Sequence, residues 1–293
     1  MIEVNSLTKK YTNGKGIFNV NFQVSKGEAF GFLGPNGAGK TTTIRHLMGF
    51  VHSTNGHASI NGLDCWKDAA KIQKQLGYVP GEISFFDHMT GVQFLKFIAD
   101  MRGVRNKRLQ DSLTERFELD GSQKIHKMSK GMKQKVGLIA AFMHDPAIII
   151  LDEPTSGLDP LMQRRFVELI KKERSRGKTI LMSSHLFDEV DQSCERVGII
   201  REGKIVATED ITTLKTALQK RFFVTFKSDK DIKKIKNSDL DYTISDINKV
   251  EIVINGNYNE LLNMLANCNV VNVDTSTQTL EEIFMRYYGK EEN

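Results

Sequence analysis

"GPNGAGKTT", residues 34–42, is the stretch that decides the fold. It matches GxxxxGK[ST], follows the apolar run "EAFGFL" (28–33) and leads into "TTTIRHLMGF" (41–50), whose pattern suits a helix. A strand, a glycine-rich loop and a helix in that order are the setting in which this motif grips phosphate. Gly34, Gly37 and Gly39 let the backbone curl so that successive N–H groups turn inward, and the helix N-terminus adds its positive end. Pro35, Asn36 and Ala38 complete the loop, and Thr42 opens the helix beside Thr41. Lys40 is expected to reach the β- and γ-phosphates, and the Thr41 hydroxyl to hold Mg²⁺.

The motif defines a P-loop nucleotide-binding protein and no narrower class. Further along, "AIIILDEPTSGLDP" (147–160) reads as an apolar strand ending in two acids. A carboxylate at the C-terminal end of a buried parallel strand faces the nucleotide crevice. Asp152 is therefore the expected Mg²⁺-organising residue, and Glu153 the expected base for an attacking water.

Working outward, helical periodicity occupies 41–49, 91–101, 106–119, 130–143 and 160–175, and apolar strands recur at 76–79, 147–151, 179–183 and 196–200. Strands alternating with helices predict an α/β fold with a mainly parallel sheet. Pieces at 1–24 and 56–60 predict an antiparallel β-subdomain at one edge, with Phe18, Val20, Phe22 and Val24 on one face of a strand. Helix dominates 84–145, which reads as an inserted helical lobe. Beyond about residue 210 the texture changes to short alternating strands ("FFVTF", "DYTIS", "VEIVI", "NVVNVD"), one amphipathic helix ("YNELLNMLA") and a closing helix with Thr279 and Glu282 as capping box. The expected domains are 1–210 and a C-terminal accessory α/β domain, 211–293.

The bulk numbers agree with two domains. The chain has 293 residues, 40% hydrophobic and 26% charged, with a net charge of +5. No basic cluster interleaved with aromatics appears, so nucleic acid is not an expected partner. Cys65, Cys194 and Cys268 show no zinc or redox spacing and read as reduced thiols. "MIEVNSLTKKY" lacks a signal-peptide pattern, and no apolar run approaches the ~18–20 residues of a membrane span.

"MSKGMKQK" (128–135) is a second anion-ready helix start. Ser129 suits an N-cap, Gly131 admits close approach to the backbone, and Val136, Leu138, Ile139 and Phe142 anchor the helix behind. On its own it also reads as a plain capped helix with an exposed lysine-rich turn.

The order of these motifs resembles the nucleotide-binding subunit of ATP-binding cassette (ABC) transporters. "MSKGMKQ" is similar to that family's signature loop, usually LSGGQ, with Lys130 replacing the first glycine and Met132 the glutamine. The resemblance implies ATP and Mg²⁺ as ligands, and two cassettes meeting head to tail. In such a dimer Ser129, Lys130 and Gly131 touch the ATP held by the other chain. It further implies that Tyr11 stacks on adenine, that Asp159 of "SGLD" (156–159) contacts the opposite cassette, and that His185 hydrogen-bonds the γ-phosphate. "REGKIVA" (201–207) resembles the hairpin after the last parallel strand. After "LGYVP" the family's usual glutamine is replaced by Gly81, with Glu82 next as a substitute metal contact. The remaining histidines, 46, 52, 57, 88, 126 and 144, read as surface or packing residues.

The subset most resembled is the ABC-2-type exporters of drugs, antibiotics and peptides. That implies a peripheral subunit on the cytoplasmic face of the cell membrane, docked to separate transmembrane permease subunits. The cassette dimer would be formed with itself or with a sister chain. The docking groove is expected near 81–100, with Phe85 and Phe86 either there or in the lobe core. A soluble ABC ATPase acting on ribosomes or DNA is the alternative, but it usually carries a second cassette or long coiled coils. A non-catalytic regulatory cassette would lack Glu153, Asp159 or His185.

Overall fold

The computed structural model describes residues 1–277, apart from 87, 105, 217–219, 229–230, 233–234, 236–237, 239, 247 and 255–257. The helix expected from Thr279 and Glu282 lies outside the described residues. Two compact units meet in sequence after Ile211.

In chain order the first unit runs β1 (Ile2–Lys10), β2 (Gly16–Val24), β3 (Ala29–Leu33), α1 (Lys40–Leu47), β4 (Asn55–Ile60), β5 (Leu63–Asp64), α2 (Ala69–Gln75), β6 (Leu76–Val79), α3 (Gly91–Arg102), α4 (Arg108–Arg116), a 3₁₀ turn (Ile125–Lys127), α5 (Lys130–Phe142), β7 (Ile148–Asp152), α6 (Pro160–Ser175), β8 (Thr179–Ser184), α7 (Phe187–Ser193), β9 (Arg196–Arg201) and β10 (Lys204–Asp210). The central sheet has the order β10-β9-β3-β8-β7-β6. Pairings from β9 through β6 are parallel, and β10 closes the edge as an antiparallel hairpin. A second sheet, β2-β1-β4-β5, is antiparallel. A mainly parallel core with an antiparallel edge sheet is the architecture expected.

The inner strands of the central sheet are short and mostly apolar because both faces are covered. Every residue of β3 and β7 is buried. Phe22 of the antiparallel sheet stacks on Phe30 and Phe32 of β3, with ring centroids 5.5 and 5.2 Å apart. Burying each such ring contributes about 2–3 kcal/mol, so this seam fixes β3, and with it the loop that follows. The face expected to carry Phe18 with Val20, Phe22 and Val24 is changed by a bulge. Asn19 has φ 52 and the β1–β2 register shifts beside it. The bulge turns Ile17 inward with Val20, Phe22 and Val24, and leaves Phe18 half-buried. A bulge adds one residue to one strand and breaks simple alternation.

Helices of the lobe start where their caps dictate. Thr90 and Gln93 form a reciprocal capping box at α3, and Ser129 Oγ accepts the Met132 N–H (3.2 Å) at α5. The stretch expected to be helical over 106–119 is ordered as a helix only from Arg108 to Arg116; Glu118, at φ 48, turns the chain out of it.

α8 (Ile211–Thr216) straddles the boundary. The second unit contains β11 (Lys220–Phe226), β12 (Asp241–Asp246), β13 (Lys249–Ile254), α9 (Asn259–Ala266) and β14 (Val270–Thr277). Its strands form an antiparallel sheet in the order β12-β13-β11-β14, with Val224, Phe226, Val250, Ile252 and Leu261 in its own core.

Candidate functional site

The loop between β3 and α1 surrounds a buried ammonium. Lys40, 5% exposed, donates to the carbonyls of Gly34 (2.5 Å) and Pro35 (3.2 Å), and its Nζ lies 3.0 Å from Glu153 Oε1. Gly39 caps α1 at φ 114, and a Cβ there would come 2.7 Å from Ile17 Cγ2, so both conformation and space demand glycine. A cavity of about 260 Å³ opens beside the loop. Tyr11, Gly16, Lys40, Thr41, Thr42 and Glu153 line it, together with Lys15, Pro35, Asn36, Gly37 and Gly39. Lys15 was not among the sequence candidates: it lies in a polar turn outside every motif. Tyr11 is 38% exposed, with Lys9 Nζ 6.0 Å from its ring centre.

The acid pair ends β7. Asp152 is fully buried. Its Oδ1 accepts the Ser183 hydroxyl at 2.6 Å, while Oδ2 is buried without a hydrogen-bond partner among the described residues. An unpartnered carboxylate oxygen in such a place suits a cation or an ordered water. Thr41 lines the loop cavity together with Glu153, the residue after Asp152, and the hydroxyl and carboxylate oxygens offered there fit Mg²⁺, a hard ion that takes oxygen ligands. Among the described residues no three His, Cys, Asp or Glu side chains gather to hold a metal. A Mg²⁺ here would complete its shell from phosphate oxygens and water.

Glu153 adopts φ 49, an uncommon backbone for a residue with a side chain. Its N–H is held by Ser183, through the carbonyl (3.2 Å) and the hydroxyl (3.1 Å). That turn aims its carboxylate between two groups: Lys40 on Oε1, and His185 Nδ1 at 2.6 Å on Oε2. Cation, carboxylate and imidazole thus converge at one edge of the cavity.

Gly81 lies against Asp152, since a Cβ on it would be 3.0 Å from Asp152 Oδ2. Glu82 is exposed and makes no hydrogen bond or ion pair among the described residues. Ser129, Lys130 and Gly131 do not line the cavity. They sit against the loop that follows the acid pair: Lys130 Nζ donates to Ser156 Oγ (2.7 Å), and a Cβ on Gly131 would come 2.6 Å from the Gly157 carbonyl oxygen. Gln134, buried, donates to the Pro154 carbonyl at 2.7 Å. Asp159 is exposed and caps α6 by accepting the Met162 N–H at 3.0 Å.

One further acid belongs to the site. Glu189 of α7 is buried and takes the hydroxyls of Thr155 and of Ser184 (2.8 Å). Burial pushes its carboxyl up to about 7; the Glu153 charge adds to the rise, and the Ser184 hydrogen bond and His185 oppose it. Because the folded-state value is raised, stability from this group is full below the unfolded value of about 4.5 and is lost as pH rises through about 7.

The comparisons with known proteins converge on one family. The family model described as ABC transporter matches residues 17–156. The bacitracin transport ATP-binding protein of Bacillus licheniformis is 38% identical over 211 residues, covering 70% of this chain and 68% of that protein. The chain belongs to the ABC transporter family. ATP is the nucleotide that goes with this membership. A probable multidrug ABC transporter ATP-binding protein of Escherichia coli (strain K12) is 36% identical over 213 residues, 71% of this ABC chain but only 37% of that protein's length. A solved ATP-binding subunit of an ABC transporter matches with TM-score 0.68 and 31% identity, over 73% of this chain and 92% of that one. Both named relatives are transport proteins, as the exporter resemblance implied.

Proposed function

We propose that this ABC chain is the ATP-hydrolysing subunit of an exporter, working as a cassette dimer on separate permease subunits. The observation that carries the reading is the placement of Glu153 between Lys40 and His185 at the edge of the loop cavity. ATP would stack its adenine on Tyr11 and lay its phosphates along 34–42, where the γ-phosphate competes with Glu153 for the Lys40 ammonium. Glu153 then takes a proton from water attacking the γ-phosphorus, the bond to the β–γ bridging oxygen breaks, and ADP and phosphate leave. His185 orients Glu153 and donates to the γ-phosphate. Thr41 and Asp152 would hold Mg²⁺, which would supply charge neutralisation to the triphosphate; Glu82 is a further candidate contact.

Ser129, Lys130 and Gly131 start a helix away from the chain's own cavity, and this supports their acting on the ATP of a second cassette, with Asp159 at the same interface. A large cation placed there tests it. Ser129→Arg is expected to leave ATP affinity of the single chain within about threefold while lowering hydrolysis by roughly 10²-fold, the scale for losing an oriented donor to the reacting group. Loss of binding in a single-chain titration would put this loop in cis.

Among the described residues no helix is long and apolar enough to cross a membrane. Permease docking is supported instead by an apolar surface at the start of the lobe. Phe85 packs edge-on against Phe94 (4.9 Å), whereas Phe86 and Val92 are 56% and 57% exposed. The cytoplasmic face of the cell membrane is the matching location. The names of the transport relatives, bacitracin and multidrug, favour a drug or antibiotic as cargo.

A further inference from the structure

The hydrolytic acid and the histidine beside it come from different strands, and a third group spans them. Thr155 is two residues beyond Glu153, in the turn that gives that residue its left-handed backbone. Ser184 is one residue before His185. Both hydroxyls donate to one buried carboxylate, Glu189: Thr155 to Oε1 and Ser184 to Oε2. Ser184 Oγ in turn accepts the Leu186 N–H at 2.9 Å, so the backbone on both sides of His185 is tied to it. Glu189 is itself anchored, because α7 packs on α6, β3 and β8 and Ser193 Oγ donates to the Glu189 carbonyl.

The geometry points to Glu189 as a positioning residue for ATP hydrolysis: it clamps the turn after Glu153 to the strand end before His185 and so sets the contact between them. The inference rests on Glu153 acting as base, as proposed above. Glu189 does not line the loop cavity, and it acts through these two neighbours. A carboxylate has lone pairs on both oxygens and can accept both hydroxyls at once; an amide offers one acceptor and must reverse one of the two bonds. Misplacement of a reacting group by a fraction of an ångström is felt in turnover more than in binding.

The test uses the full chain, with ATP turnover, ATP affinity and thermal midpoint measured together at pH 8. Glu189→Gln is expected to lower kcat about tenfold, within the range that misplaced catalytic groups show, with KM and ATP affinity within about twofold of wild type. The same variant is expected to be more heat-stable than wild type by about 3 °C at pH 8, with the gain shrinking toward pH 5, because it removes a buried charge. Thr155→Val breaks one arm of the clamp by a different route and should give a similar fall in kcat. The double variant should be no slower than the slower single one, since both act on one contact. Higher stability with slower turnover is a signature that general loosening does not produce. Unchanged kcat in both variants, or kcat that falls only in step with the thermal midpoint, would overturn the inference while leaving the base in place. Absence of ATP turnover in the wild-type chain would instead remove the proposed function, and this inference with it.

Discussion

Lys40→Ala is expected to abolish nucleotide binding at concentrations where the wild-type chain is saturated, a loss of at least about 10²-fold in affinity. Losing one partner of a desolvated charge pair weakens binding by about 2–5 kcal/mol, and each 1.4 kcal/mol is tenfold. Two features place this site toward the upper end. The ammonium is 5% exposed, so little water screens its interaction with phosphate. It is also the cation 3.0 Å from Glu153 Oε1, so its removal leaves a carboxylate facing the incoming phosphates uncompensated. Equilibrium titration with a fluorescent ATP analogue measures the effect. Normal affinity in a folded Lys40→Ala protein would remove the phosphate-loop assignment.

The second large effect separates binding from chemistry. Glu153→Gln is expected to retain ATP and to lose roughly 10²–10⁴-fold in kcat, the contribution of a positioned general base. Glutamine has nearly the same shape and tolerates the same left-handed backbone about as well. It can also keep one hydrogen bond toward His185, so the variant tests the charge and basicity of this group and little else. With hydrolysis blocked, ATP-bound cassettes should accumulate as dimers, visible by light scattering as an ATP-dependent doubling of mass. Hydrolysis at the parent rate would mean the base lies elsewhere. Together the two variants predict opposite binding phenotypes for residues that form one ion pair, which a general destabilisation could not mimic.

What the sequence revealed, and what it hid, follows from the range of the interactions involved. The phosphate loop, α1 and β7 were legible because their signal is local: glycines where backbone must curl, an apolar run where a strand is buried, acids where it ends. α2 (Ala69–Gln75) and α7 (Phe187–Ser193) were missed because two turns hold too few apolar positions to display a period. The Asn19 bulge defeated the strand pattern for a related reason, since one inserted residue exchanges the two faces beyond it. Glu189 was invisible as a site residue. Its partners Thr155 and Ser184 lie in different loops, and nothing in the local pattern of "LFDEVDQS" marks an acid as buried. The signature-like loop stands between these cases. Its cap and glycine were readable, but the Lys130–Ser156 bond that ties it to the turn after Glu153 comes only from the fold.

That tie holds the helix start beside its own chain's turn, so its contact with a second chain's ATP has to be seen in the dimer. The most direct measurement is a structure of the Glu153→Gln chain, in its full assembly, with ATP and Mg²⁺ bound. Ser129 Oγ of one chain is expected within hydrogen-bonding distance of the γ-phosphate gripped by Lys40 of another. A triphosphate held at residues 34–42 with every copy of 128–132 remote from it would rule out completion of the ATP site by a second cassette.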